Sequence, residues 1–391
     1  MENIENFRVL GKGKTALALK KRFPNIRLFD DGDIDSFDKN SDELTIVSPG
    51  IPPHNLLVQN SKNISSDYDL FYKDMPFSIW ISGTNGKTTT TQMCQHILES
   101  YNSCYGGNIG VPLSGLDKNK RIWILETSSF TLHYTNIAKP NIYILLPITE
   151  DHITWHGSFE EYKKAKLKPL SLMNESDIAI IPSEFKDIKT EAHTIYYSSS
   201  DDLCEEFNID KSKINFNEPF LLDAIMAIIS RKIIFDDIDY DLINSYKIDK
   251  HKVEEFRDSK NRVWIDDSKA TNYDATINAL VPYKDKNIHI ILGGDDKGAC
   301  LELLFENLKD LDIVVYAIGT NRKKIVKYCD TYNIKVIECE FLDIAVKEID
   351  KNLIKNSIGI LSPAAASLDQ FKSYAHRGDE FKKFVENLSK D

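Results

Sequence analysis

Short runs of consecutive apolar residues, rich in Ile, Val and Tyr, alternate along the chain with longer stretches whose apolar positions recur at helical spacing. A strand covered on both faces needs nearly every side chain apolar, whereas a helix packed on it needs only one apolar stripe. The early runs predict strands at Phe7–Leu10, Ile26–Phe29, Leu44–Val47, Phe77–Ile81, Ile122–Leu125 and Ile142–Leu146. Later ones predict strands at Ala179–Ile181, Arg262–Ile265, Ile288–Leu292, Ile313–Ile318 and Gly359–Leu361. Strands alternating with helical stretches predict an α/β architecture built on parallel sheets.

Two stretches read as seams: Tyr72–Pro76, which precedes a fresh strand, and the polar Tyr246–Lys252, which follows a helical segment. They divide the 391 residues into expected domains 1–75, 76–248 and 249–391. The polar stretch Ser183–Pro219, with its Ser198-Ser199-Ser200-Asp201-Asp202 run, predicts loops around small elements.

Composition narrows the class. Apolar residues make up 42% and charged residues 28%, an ordinary globular balance. The 49 Lys and Arg against 60 Asp and Glu leave a net charge of −11 with no block of basic residues, which speaks against nucleic acid as a partner. The start, Met1–Asn6, is acidic and lacks the features of a secretory signal. The most apolar stretch, Phe220–Ile229, is short and carries Asp223, so no membrane span is expected. Six scattered cysteines without a CxxC pair read as reduced thiols, and a cytoplasmic location is expected.

The strongest local chemistry is Phe77-Ser78-Ile79-Trp80-Ile81-Ser82-Gly83-Thr84-Asn85-Gly86-Lys87-Thr88-Thr89. A strand runs into a glycine turn and then a helix with Met93, Ile97 and Leu98 on one face. Such a turn lets backbone N–H groups curl around a phosphate at a helix N-terminus. Lys87 is placed for the β- and γ-phosphates and Thr88 for Mg²⁺. The spacing differs from the general GxxxxGK[ST] form, because Ile81 stands where the first glycine would.

Other candidates are weaker one by one. Gly11-Lys12-Gly13-Lys14-Thr15-Ala16 follows a strand, and Asp30-Asp31 follows the next. That layout suits a nucleotide-binding βαβ unit or an ordinary tight strand–helix turn. Glu126 and His152 each follow a strand, where α/β sheets place ligand-facing groups, and either could serve Mg²⁺ or simply cap a loop. Tyr162, Lys166 and Leu170 share one helical face. Spacing alone leaves Lys166 one of four lysines on a solvated surface, although a desolvated lysine could form a carbamate with CO₂.

Taken together, these residues resemble a known family. Gly83-Thr84-Asn85-Gly86-Lys87-Thr88, Gly107-Asn108-Ile109-Gly110, Glu126-Thr127-Ser128-Ser129-Phe130, Glu150-Asp151-His152 and Tyr162…Lys166 are similar to the ordered motifs of the Mur ligases. His251 and Asp267-Ser268-Lys269-Ala270-Thr271-Asn272 continue the match. These enzymes form amide bonds with ATP in bacterial cell-wall synthesis. Gly293-Gly294-Asp295-Asp296-Lys297, Leu361–Phe371 and Arg377-Gly378-Asp379 look like the branch that uses D-glutamate.

The resemblance implies three domains: a Rossmann-like N-terminal UDP-binding domain, a central phosphate-loop ATPase domain and a Rossmann-like C-terminal domain that brings the amino acid. It implies a ligase that adds D-glutamate to UDP-N-acetylmuramoyl-L-alanine through an acyl phosphate, and a monomer is expected. By position, Gly83, Thr84, Asn85, Gly86, Lys87, Thr88, Thr89, Lys252, Asp267 and Lys269 are expected to hold ATP. One Mg²⁺ falls to Thr88 and Glu126, a second to His152 and a carbamylated Lys166, with Lys87, His152 and Lys166 as the catalytic set. Thr15, Asp30, Gly50 and Asn108 fall to the uridine nucleotide substrate. Thr271, Lys297, Ser367 and the backbone N–H of Tyr374 fall to D-glutamate.

Four positions depart from the family pattern: Pro147 and Thr154 around the histidine, Lys252 where Arg is usual, and Asp266 where Asn is usual. The usual His-Asn-xx-Asn segment is not legible near Asn215-Phe216-Asn217, which leaves adenine contacts unassigned. The competing readings are a Mur-type or folylpolyglutamate-type ligase for another amino acid, a non-catalytic nucleotide binder, and a nicotinamide dehydrogenase. The diamino-acid enzymes' Asn-Pro-Arg signature is absent, and Lys87, Glu126, His152 and Lys166 are all present. The phosphate loop has no place in the dehydrogenase reading.

Overall fold

The computed structural model describes residues 6–388, so most of the acidic start lies outside the described residues. The strands are β1 (Phe7–Leu10), β2 (Arg27–Phe29), β3 (Leu44–Val47), β4 (Ile64–Ser65), β5 (Phe77–Ser82), β6 (Ser103–Gly107), β7 (Ile122–Glu126) and β8 (Ile142–Leu145). They continue as β9 (Ile178–Pro182), β10 (His193–Tyr197), β11 (Glu254–Arg257), β12 (Val263–Asp266), β13 (Asn287–Gly293), β14 (Ile313–Ile318), β15 (Lys335–Glu340) and β16 (Ser357–Leu361).

These form three sheets, in the orders β2-β1-β3-β4, β10-β9-β8-β5-β7-β6 and β11-β12-β16-β13-β14-β15. All pairings are parallel except that of β11 with β12. Central strands such as β8 and β14 are buried at every position, as the continuous apolar runs require.

Two compact units result. One comprises residues up to Phe216 with Phe220–Tyr246 and carries the first two sheets; the other comprises Asn217–Pro219 with the residues from Lys247 on and carries the third. In the first unit a single cluster runs from Phe7, Val9 and Ile46 to Trp80, Trp123 and Leu145, so its two sheets share one core. In the second, Ile290, Val315 and Ile360 pack on one face of the sheet, and Trp264, Tyr316 and Phe381 on the other.

The apolar runs match eleven strands of the structure. The five they miss are β4, β6, β10, β11 and β15, and each is the edge of its sheet. An edge strand pairs on one side only and faces water, so it can be short or polar, as Glu254-Glu255-Phe256-Arg257 is. The stretch read as loops around small elements, Ser183–Pro219, holds β10 and the helix Ser200–Phe207, whose N-terminus is fixed by a capping box of Ser199 and Asp202. The helix that carries Tyr162 and Lys166 ends at Leu167, short of Leu170, and tightens into a 3₁₀ turn over Lys168–Ser171, where Pro169 cannot continue the α-helical bonding.

Within the second sheet, the connections leaving β5 and β8 depart in opposite directions. That is where an open parallel sheet forms a crevice at its carboxyl edge. The turn after β5 and the turn after β8 carry the phosphate-loop and Asp151-His152 motifs respectively.

Candidate active site

The connection from β5 to the helix Lys87–Leu98 is shaped by two glycines with positive φ, Gly83 (+137°) and Gly86 (+82°). A Cβ on Gly83 would lie 2.5 Å from Leu146 Cβ, and one on Gly86 would lie 2.7 Å from an Asp223 carboxylate oxygen. Only glycine fits both the backbone conformation and the space. The loop is held from the β8 side: Thr84 N–H donates to Pro147 O (3.0 Å), Thr84 Oγ1 donates to Thr149 O (3.0 Å), and Thr149 N–H returns to Thr84 Oγ1 (2.9 Å). From the helix Phe220–Phe235, buried Asp223 accepts from Thr90 Oγ1 at 2.6 Å.

Lys87 opens the helix, and its ammonium donates to Gly83 O (3.0 Å) and Thr84 O (2.7 Å). Burial lowers its pKa, with the charges of Glu126 and Asp151 opposing that shift. Thr88 Oγ1 donates to Glu126 Oε2 at 2.7 Å, and Asn108 Nδ2 donates to Glu126 Oε1 at 2.5 Å. Glu126 ends β7 and is only 2% exposed, so a carboxylate and a hydroxyl are held together beside the first turn of the helix.

Lys166 does not lie on a solvated surface. It is 1% exposed, and its ammonium donates to Gly83 O at 2.7 Å, the same carbonyl that accepts from Lys87. Its pKa is held well below the ordinary lysine value, chiefly by burial and then by the charge of Lys87, against the pull of Asp151 and Glu126. Tyr162, one turn earlier on the helix Phe159–Leu167, lies under the Lys166 ammonium (4.7 Å to the ring centre) and hydrogen-bonds Thr84 Oγ1 through its hydroxyl (3.0 Å).

His152 has a left-handed backbone (φ +55°), and its ring packs edge-on against Phe130 (4.7 Å) and lies 6.2 Å from the Tyr162 ring. His156, one turn on, pairs its Nε2 with Ser129 Oγ (3.0 Å), and burial lowers its pKa to about 3. Asp223 and the Ser129–His156 tie carry no local signal in the sequence, because each joins elements that are not consecutive in the chain.

At the first sheet, Gly11 (φ +99°) packs against Ser48, where an added Cβ would meet Ser48 Oγ at 2.8 Å. This brings the turn before Thr15 beside the exposed turn containing Gly50. Asp30 caps the following 3₁₀ turn and pairs with Lys12 (2.8 Å). Asn108 is grouped by its side chain with Glu126 rather than with these loops.

In the second unit, Asp267 accepts from Ser362 Oγ (2.6 Å) and Val253 N–H (3.2 Å), and burial raises its pKa to about 7. Lys269 N–H donates to His251 O (3.0 Å), and the Lys269 ammonium lies 4.5 Å from the Tyr374 ring centre. Lys252 pairs with Asp249 (3.0 Å), and Asp266 pairs with His251 Nδ1 (2.6 Å). Thr271 directly precedes Asn272, the N-cap of the helix Tyr273–Leu280. Backbone bonds between Asp295 and Ala366 (3.0 and 2.8 Å) bring the Lys297 loop beside Ser367. Tyr374 is the first residue of the helix Tyr374–Asn387, so its N–H is one of the four that have no partner within the helix.

Comparisons with known proteins agree with this arrangement. Residues 81–221 match the family described as the Mur ligase middle domain. The UDP-N-acetylmuramoylalanine–D-glutamate ligase of Campylobacter jejuni (strain RM1221) is 48% identical over 398 residues, which cover 97% of this chain and 99% of that protein. The ligase of the same name from Helicobacter pylori (strain ATCC 700392 / 26695) is 43% identical over 415 residues, covering 96% and 98%. Among solved structures, the MurF ligase from Thermotoga maritima in complex with ADP shares the fold with a TM-score of 0.63, 14% identity and full coverage of both chains. With 48% and 43% identity along nearly the whole length of both chains, the chain belongs to the Mur ligases, in the UDP-N-acetylmuramoylalanine–D-glutamate ligase family.

Proposed function

We propose that the protein is an ATP-dependent ligase of the cytoplasm that adds D-glutamate to UDP-N-acetylmuramoyl-L-alanine in peptidoglycan synthesis. The observation that carries the chemistry is the Lys87 ammonium held on the phosphate-loop carbonyls of Gly83 and Thr84, beside the buried Glu126 carboxylate that accepts from Thr88 Oγ1. An anionic carboxylate must meet an anionic phosphate in the first step, and preorganised positive charge lowers that barrier. The choice of amino acid rests on the relatives' shared name over nearly the full chain.

In this reading the alanyl carboxylate attacks the γ-phosphorus of ATP, giving an acyl phosphate and ADP. The deprotonated amine of D-glutamate then attacks the acyl carbon, and phosphate leaves with one oxygen of the original carboxylate. Gly83–Thr89 cradle the phosphates and Lys87 orients the γ-phosphate. In the second unit Lys252, Asp267 and Lys269 are assigned to the nucleotide. Thr15, Asp30, Gly50 and Asn108 are assigned to the uridine nucleotide, and Thr271, Lys297, Ser367 and the Tyr374 N–H to D-glutamate.

Mg²⁺ fits the oxygen pair of Thr88 and Glu126, a hydroxyl and a buried carboxylate held 2.7 Å apart. Bound there, it would supply positive charge to the phosphate oxygens. His152 and Lys166 complete a second donor set once Lys166 is a carbamate, since an ammonium cannot ligate a cation. A depressed pKa leaves a larger share of the amine neutral to attack CO₂, forming the N–C bond and releasing a proton. The proposed domains, 1–75, 76–248 and 249–391, each take one sheet and one task, and the chain acts as a monomer.

The test is phosphate release by the purified protein with Mg-ATP and UDP-N-acetylmuramoyl-L-alanine, adding one amino acid at a time. Release that requires D-glutamate supports the reading. Release driven by another amino acid, or by none, overturns the assignment of substrate.

A further inference from the structure

The loop after β13 carries three acidic or basic side chains in a row, Asp295-Asp296-Lys297, and Lys297 adopts a left-handed backbone at φ +50°. An aspartate directly before a lysine is the nearest anion that the lysine's ammonium could collapse onto. In the structure that aspartate is already engaged. Asp296 Oδ2 accepts from the Lys324 ammonium (2.8 Å) and from Asn321 Nδ2 (3.2 Å), while Oδ1 accepts from Gly298 N–H (3.0 Å). Asp295 is turned to the backbone, taking Lys297's own N–H at 3.0 Å.

Both partners come from the connection after β14, which grips the loop on either side of Lys297. Asn321 Oδ1 accepts from Gly294 N–H (3.0 Å), and Lys324 donates a second bond to Ala299 O (2.6 Å). Thr320 closes the upstream side by donating its hydroxyl to Gly294 O (2.9 Å). The Asp296 side chain is 12% exposed and Lys297 is exposed; no ion pair of the Lys297 ammonium is present among the described residues.

We propose that Lys324 and Asn321 are positioning residues for the amino-acid substrate: by holding the Asp296 carboxylate they keep the Lys297 ammonium uncommitted and aimed outward for a ligand carboxylate. This rests on the reading of Lys297 as a contact for D-glutamate. The lowered pKa of Asp296, where burial is outweighed by Lys324 and the Gly298 N–H, keeps its carboxylate charged and in need of that partner. Without Lys324, the buried charge would recruit Lys297 instead, and the substrate's carboxylate would have to compete for it.

The experiment is a double-mutant cycle in the full-length enzyme, with D-glutamate and ATP varied separately. Lys324→Met is expected to raise the D-glutamate KM about tenfold or more, with the ATP KM within about twofold of the parent. Adding Asp296→Asn removes the competing charge, and the double variant is expected to return to within about threefold of the parent KM. Additive effects of the two changes, or an unchanged D-glutamate KM in Lys324→Met, would overturn the proposal. Lys324→Gln, which keeps the donors and drops the charge, gives the same reading should the methionine variant not fold. Lys297→Ala is measured beside them. If it leaves the D-glutamate KM unchanged, the assignment of Lys297 itself falls and takes the proposal with it. If it raises that KM while Lys324→Met does not, only the positioning role falls.

Discussion

Lys166 shows how far one residue's environment departs from its sequence neighbourhood. Beside Lys163, Lys164 and Lys168 it looks like one more charge on a basic helix, yet it is the member of that face that reaches the carbonyl of Gly83. A free lysine is neutral in only about one molecule in 10³ at pH 7. Burial and the adjacent Lys87 shift that balance toward the amine. Lys166→Ala is expected to lose nearly all turnover and to regain part of it with millimolar short-chain carboxylic acids, which can restore a carboxylate where the carbamate would stand. Rescue measured as D-glutamate-dependent phosphate release checks this, and a fully active variant would remove Lys166 from the mechanism. The spacing of Tyr162 and Lys166 was readable from the chain; the burial was not, because it is created by the turn after β5 and by Tyr143 of β8, from other parts of the sequence.

At the scale of elements, the central fact is the turn between β5 and the helix Lys87–Leu98. Gly83→Ala would place a Cβ 2.5 Å from Leu146 and force a side chain onto φ +137°. The cost is expected to be about 1–3 kcal/mol in stability, and ATP turnover should fall more than tenfold because the cradle moves. Thermal melting and steady-state kinetics check it; parental values in both would show that the loop does not depend on this glycine.

The same elements show what a sequence can and cannot announce. Strands buried on both faces declare themselves as apolar runs, as in β5, β8 and β14. Edge strands do so less often: β2 does, but β6 ends in Gly106-Gly107 and β11 is mostly charged. The motif residues were legible because phosphate chemistry constrains local spacing. Their supports, Asp223 on Thr90 and the Asn321–Lys324 grip on Asp296, are long-range and left no local trace.

For the molecule as a whole, three of the four departures from the family pattern can be placed individually. Pro147 contributes through its carbonyl, which any residue supplies, so the Thr84 N–H bond survives the change. Asp266 is buried and pairs with His251 Nδ1, a role a carboxylate fills at least as well as an amide. Lys252 keeps a positive charge but gives up the bidentate geometry of an arginine. None of these removes a group on which the two-step chemistry depends, and that chemistry is the central claim.

Its most direct test is isotopic: UDP-N-acetylmuramoyl-L-alanine labelled with ¹⁸O in the alanyl carboxylate, incubated with the protein, Mg-ATP and D-glutamate. Acyl transfer through an acyl phosphate predicts that each phosphate released carries one ¹⁸O and that the product gains one glutamyl residue. Unlabelled phosphate, or release of pyrophosphate with an adenylate, would contradict it.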